Sequence, residues 1–168
     1  TYTVAFNANG GTGSMSNQSF TYDQSQSLTA NAFTRTNYAF KNWNTKADGS
    51  GTNYTDKQSV SNLTTTNGET VTLYAQWTPV YTVTWLANGQ EFHTQTAVEG
   101  TALDLPDSEP DAATYACNDK VFVGWLDQAI SGSTNDEPTF VTDFGTIQAN
   151  KTYYAVFATL TGTPSNDY

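Results

Sequence analysis

Residues 2–11 read YTVAFNANGG and residues 81–90 read YTVTWLANGQ. Six of these ten positions are identical, at an offset of 79 in a chain of 168 residues. A chain that starts over halfway is built from two copies of one unit, so each copy has only about 80 residues in which to make a core. The match continues downstream. YAFKNW at Tyr38–Trp43 corresponds to KVFVGW at Lys120–Trp125, and TLYAQW at Thr72–Trp77 corresponds to TYYAVF at Thr152–Phe157. The blocks keep their order and differ only by short insertions between them, where loops tolerate length changes. Two tandem domains are expected, 1–78 and 80–160, with residues 161–168 as a linker or tail. Pro79 has no amide to give a β-ladder and is expected to end the last strand of the first copy.

A unit of this size leaves a large part of its surface in water, and aromatic side chains compensate because each buries about 150–250 Å². The chain carries four Trp, ten Tyr and nine Phe. Thr and aromatics favour strands, whereas Asn and Gly favour turns; the strong helix formers are scarce. Tyr2, Val4 and Phe6 alternate with Thr3 and Ala5, and Val71, Leu73, Ala75 and Trp77 alternate with Thr72, Tyr74 and Gln76, the period of half-buried strands. NGGTGS at Asn9–Ser14 predicts a turn leading to a second strand in QSFTY at Gln18–Tyr22, and KADGSGT at Lys46–Thr52 a second turn. The best places for a short helical turn are Val60–Thr66 and Asp143–Ala149. The fold class is mainly β, as α+β with little helix.

The first copy runs YTVxFxANGG, then YxFxxWNTKADGSGTxY, then VSNLTTTNGxTVTLYAQW, which resembles the Listeria–Bacteroides repeat, the family of the internalin B-type B repeat. The likeness covers Tyr2–Gly11, Tyr38–Tyr54 and Val60–Trp77. The second copy keeps YTVTWLANG, FVGW and TYYAVF, lacks the NTKADGSG turn and resembles a divergent member. The resemblance implies two tandem small β-grasp (ubiquitin-like) domains, arrayed on exported parts of bacterial proteins and acting as non-catalytic stalks or interaction modules. The residues by themselves also permit a small β-sandwich.

The net charge is −10, and it is unevenly placed. Residues 1–79 hold four basic and four acidic side chains; residues 80–168 hold two basic and twelve acidic. Without a basic patch to displace counterions, nucleic acid is excluded as a partner. No apolar run reaches 18 residues, so direct membrane insertion is not expected. A single cysteine, Cys117, allows no internal disulfide and reads as a small buried hydrophobe. The chain lacks an initiator Met and is expected to be a monomeric fragment of a longer protein.

Catalytic constellations are missing. GGTGSMS at Gly10–Ser16 follows a strand, but Ser16 stands at the third glycine position and the next segment is a strand, so it reads as a hairpin turn. His93 shares an alternating face with Glu91 and Gln95, which predicts a solvent-facing histidine with no nucleophile near it. One cysteine and one histidine do not make a zinc site. Lys120 and Lys151 lie beside strands, and a lysine–carboxamide crosslink would need one of them buried and neutral; salt-bridged or solvated lysines are expected instead. Trp43, Trp77, Trp85 and Trp125 would stack on sugars if exposed, yet all occupy matched repeat positions and read as core.

The one concentrated polar feature is DLPDSEPD, which sets Asp104, Asp107, Glu109 and Asp111 within eight residues. Calcium takes several oxygen ligands, but the ordered spacing of a calcium loop is missing and two prolines stiffen the segment. Clustered charge speeds encounter with a basic partner, so these four acids are the expected partner contact. The function expected is therefore a non-catalytic module of a bacterial surface or secreted protein. It needs no cofactor, and serves as spacer or as contact for a host or matrix protein or a neighbouring repeat. A carbohydrate-binding module with exposed aromatics is the alternative.

Overall fold

A computed structural model describes residues 1–116 and 118–159. The readings of Cys117 as a buried hydrophobe and of 161–168 as a linker lie outside the described residues. The chain divides into two compact units, with the boundary at Val80–Tyr81. It is mainly β, and its one α-helix among the described residues spans four residues.

Unit 1 contains β1 (Tyr2–Asn7), β2 (Gln18–Phe20), β3 (Gln26–Ser27), β4 (Tyr38–Asn44), β5 (Asn53–Tyr54), β6 (Ser59–Val60) and the first part of β7 (Thr70–Ala87). β1 pairs antiparallel with β2 and parallel with β7, from Thr3↔Thr70 to Asn7↔Tyr74. β7 also pairs antiparallel with β4, and β4 with β5, giving the order β2-β1-β7-β4-β5. β1 runs into a turn at Asn9-Gly10, both at positive φ (46° and 89°), with the Gly11 amide bonded to the Ala8 carbonyl, and β2 follows only at Gln18. Positive φ at both central residues is the tight-turn geometry that an Asn-Gly pair adopts readily.

One face of this sheet is the core. Val4, Trp43, Leu73 and Ala75 are fully buried, and the connection between β2 and β4 adds Leu28 and Phe33. Trp43 is ringed by Phe6 (4.9 Å), Phe40 (5.0 Å) and Phe33 (6.1 Å). Facing it in register is Ala75, so a large side chain meets a small one.

Unit 2 repeats the plan with the second part of β7, β8 (Gln90–Val98), α1 (Ala112–Tyr115), β9 (Lys120–Leu126) and β10 (Lys151–Thr159). β7 pairs with β8 and runs parallel to β10, and β10 pairs antiparallel with β9, giving β8-β7-β10-β9. The first strand again runs into Asn-Gly at positive φ, Asn88 (49°) and Gly89 (75°), and here the pair joins β7 directly to β8 as a two-residue hairpin turn. The core holds Val83, Trp85, Trp125, Ile147 and Tyr153. Even the irregularity is shared. In β4 the register passes from Phe40↔Trp77 to Asn42↔Gln76, leaving Lys41 out. In β9 it passes from Phe122↔Phe157 to Gly124↔Val156, leaving Val123 out. Beyond the bulge, Trp125 faces Ala155 as Trp43 faces Ala75.

Three expectations need correction. Neither Val60–Thr66 nor Asp143–Ala149 is helical. Val60 instead pairs with Gln26 in the short β3–β6 ladder and is buried; Thr146 bridges Ala102, with Ile147 buried beside it. β-Branched residues suit such extended clips, and Asn62 and Gly145 at positive φ break any helix there. The helix that does form follows Asp111. Nor does Pro79 end a strand: β7 continues to Ala87. Pro79 stands opposite Tyr38, the first residue of β4, and the next amide, Val80, bonds to the Asn37 carbonyl, so the missing donor costs little at this rim of the ladder.

Candidate functional site

The acidic segment begins where β8 holds it. The Asp104 amide donates to Gln95 Oε1 (3.1 Å), and Gln95 Nε2 reaches Asp104 Oδ2 (3.4 Å). Asp104 and Asp107 then line a groove of about 710 Å³ against His93–Thr96 of β8 and Leu105. Glu109 is exposed, and the buried Pro110 anchors the segment. Asp111 caps α1, where its carboxylate accepts from the Ala113 amide (3.2 Å) and the Thr114 hydroxyl (2.8 Å). All four carboxylates are exposed, but only Asp104 and Asp107 share the groove. Among the described residues, no group of three His, Cys, Asp or Glu side chains converges as a metal site.

His93 does not face solvent as its alternation predicts. It is half-buried, its ring tilted over Trp85 at 5.1 Å. Its ring lies across the strand pair on the fully buried indole of Trp85, so it helps to cover the core instead of standing free in water. Lys151 is paired with Asp127 (3.6 Å), both about half exposed, and its ammonium lies 5.0 Å over the Tyr153 ring.

The tryptophans form no exposed platform. Trp43, Trp85 and Trp125 are buried; Trp77 is half-buried and its indole N–H donates to the Ala8 carbonyl (3.0 Å). Trp77 also lies against Gly11, where a Cβ would come within 2.6 Å of the indole. A Gly11→Ala change therefore has to displace Trp77, and a loss of about 1–3 kcal/mol in unit 1 is expected by denaturant titration. The second copy has Gln90 and Phe157 at these positions, having changed both partners.

The turn after β4 is set by a buried side chain. Asn44 donates from Nδ2 to the Gly49 carbonyl (3.1 Å) and Asn53 Oδ1 (2.7 Å), and its Oδ1 accepts from the amides of Lys46 (2.8 Å) and Gly51 (3.0 Å). Within the turn, the amide and hydroxyl of Ser50 hold the Asp48 carboxyl below its usual range, with Lys46 adding to the effect. The turn folds back over the sheet: Asn9 Nδ2 donates to the carbonyls of Ala47 (2.8 Å) and Ala75 (2.9 Å). In unit 2, Leu126 replaces Asn44 and no such turn follows. A groove of about 510 Å³ lies there, walled by Asn88, Lys120, Ile130, Tyr154 and Val156. Sequence reasoning missed this groove. Its signal was the loss of NTKADGSG between two otherwise matching blocks.

Geometry thus defines a class first: a tandem array of small β units, each rebuilding one sheet order around its own aromatic core. Residues 2–76 and 81–156 both match the Listeria-Bacteroides repeat domain, and the chain belongs to that family. It is also 34% identical over 96 residues to a protein of Evansella cellulosilytica named "Putative Gly-rich membrane protein". That match covers 54% of this chain and 11% of the relative. Among the described residues, no helix is long and apolar enough to cross a membrane.

Proposed function

We propose that the chain is a non-catalytic repeat module of an exported or surface-attached bacterial protein, serving as a spacer and as a protein-contact unit. In this reading each unit is a small β-grasp module, supported by a first strand that lies parallel to the last and is flanked by its own hairpin partner. The observation that carries the functional reading is divergence on a shared frame. Both copies keep the same order, bulge and aromatic core, while nearly all the excess negative charge lies in the second. A spacer alone has no use for that asymmetry. The groove beside β8, with Asp104 and Asp107 on its wall, is the contact surface for a basic host or matrix protein or a neighbouring repeat. Buried tryptophans count against the sugar-binding alternative.

The test is binding of the labelled 168-residue chain to mammalian cells, matrix proteins and a glycan array at physiological salt. Saturable binding to a protein surface is expected. The variant Asp104→Asn, Asp107→Asn, Glu109→Gln, Asp111→Asn is expected to weaken it by about tenfold or more and to flatten its salt dependence. Asn at 111 keeps the cap, because its carbonyl oxygen accepts as a carboxylate does. Unchanged affinity in that variant removes the acidic segment from the contact, and glycan binding instead would overturn the reading.

A further inference from the structure

We infer that the second unit binds the carboxyl-terminal end of a peptide with an apolar last residue, in the groove that the first unit fills with its own turn. The inference goes beyond the contact proposed beside β8 and concerns a second groove of the same unit.

The comparison between copies carries it. In unit 1 the 46–51 turn lies over Asn9 and Gln76. Asn9 donates to the Ala47 carbonyl (2.8 Å), and Gln76 Nε2 reaches the carbonyls of Lys46 and Ala47 (both 3.4 Å). The matched residues in unit 2 are Asn88 and Val156, and both line the open groove of about 510 Å³. A volume of this size suits a ligand of a few residues. The side-chain amide of Asn88 bonds to no described residue, so the donor that takes a peptide carbonyl in copy one is unused in copy two. Leu86, Ile130, Val156 and Phe157 supply an apolar lining, and Ile130 is exposed.

The charge on the wall selects the end of the chain. Residues 80–168 hold only two basic side chains. Lys151 is paired with Asp127, whereas Lys120, half-buried on the groove wall, has no ion pair among the described residues. One ammonium in an apolar groove matches one carboxylate. A polyacidic ligand would meet the twelve acids of this half and be repelled. A neutral peptide with a free terminus carries a single carboxylate. It also brings the backbone carbonyls that Asn88 accommodates and an apolar side chain beside the group Lys120 would hold. A free small carboxylic acid lacks the carbonyls.

The experiment is an amide chemical-shift titration of the ¹⁵N-labelled 168-residue chain. The probes are acetyl-Gly-Ala-Val-Leu with a free carboxyl terminus, the same peptide as its terminal amide, and 3-phenylpropanoate. Saturable shifts are expected with the free-acid peptide, centred on Asn88, Gly89, Val156 and Phe157. Affinity should fall at least about tenfold for the amide and for Lys120→Gln. Ile130→Glu, on an exposed position that leaves the fold unburdened, should abolish binding. Any of three results overturns the inference: no saturable shift up to millimolar peptide, equal affinity for acid and amide, or shifts centred on the β8 groove. Tighter binding of phenylpropanoate than of the peptide would also overturn it, by assigning the groove to small acids. The acid-neutralised variant keeps Asn88 and Lys120, so failure here leaves the test of the contact reading intact.

Discussion

Replacing Asn44 by leucine, the residue that stands at the matching position of the second copy, is expected to unfold the 45–52 turn and to cost unit 1 about 3 kcal/mol. The side chain is fully buried and serves four groups at once, two as donor and two as acceptor. Leucine is near in volume but leaves the Lys46 and Gly51 amides without their acceptor. An unmet buried amide costs more than a hydrogen bond contributes, about 1–3 kcal/mol for each group that water cannot reach. The turn lies partly in solvent, so some of the groups rehydrate and the total stays below the sum of four. Hydrogen exchange at Lys46 and Gly51, with denaturant titration of the whole chain, measures both effects. If stability drops by less than about 0.5 kcal/mol and both amides stay protected, Asn44 does not organise the turn.

Trp43→Ala should have the larger effect, about 3–5 kcal/mol, because it empties the centre of a thin core. Trp43 touches three aromatic rings and faces Ala75, so no neighbour is placed to collapse into the space. A domain of about 80 residues has roughly 5–10 kcal/mol in total, so most of the stability of unit 1 would go. Amide signals of Val4, Leu73 and Ala75 report this directly. Trp43→Phe should recover more than half of the loss, since its ring still meets Phe6 and Phe40. Retention of full protection in the alanine variant would mean that the core lies elsewhere.

The sheet was legible in the sequence because its signals are local and doubled. Alternation in Tyr2–Phe6 and Val71–Trp77 marks two strands, Asn-Gly marks the turn after each copy's first strand, and each mark recurs about eighty residues later. What closes each core was not legible. Leu28, Phe33 and Ile147 are single apolar residues in long connections, with no neighbours to set a period, and only tertiary pairing buries them. The four-residue α1 depends on one carboxylate cap at Asp111, too short a signal when that residue is the last of four acids that read as a charge run. His93 was misplaced because its ring packs on the buried indole of Trp85 across the strand pair, a contact that alternation along one strand does not show. The acidic segment was visible as composition; that Asp104 and Asp107 share a groove while Asp111 caps a helix depends on tertiary contacts with β8 and on the chain turning helical at Ala112. Lys120 was weighed only as a crosslinking residue, since the groove beside it exists through a missing turn.

The parallel pairing of first and last strands has a mechanical meaning for a chain of repeats. In unit 1 the chain enters at the start of β1 and leaves from the far end of the β7 segment paired with it. Tension applied through the two ends therefore runs along the strands and in opposite senses. The bonds linking Thr3 through Asn7 to Thr70 through Tyr74 are loaded side by side, in shear, and none can be peeled open before the others. The same holds in unit 2 for Val83–Leu86 against Lys151–Tyr154. Each copy carries its own load-sharing seam, in line with any pull on its two ends.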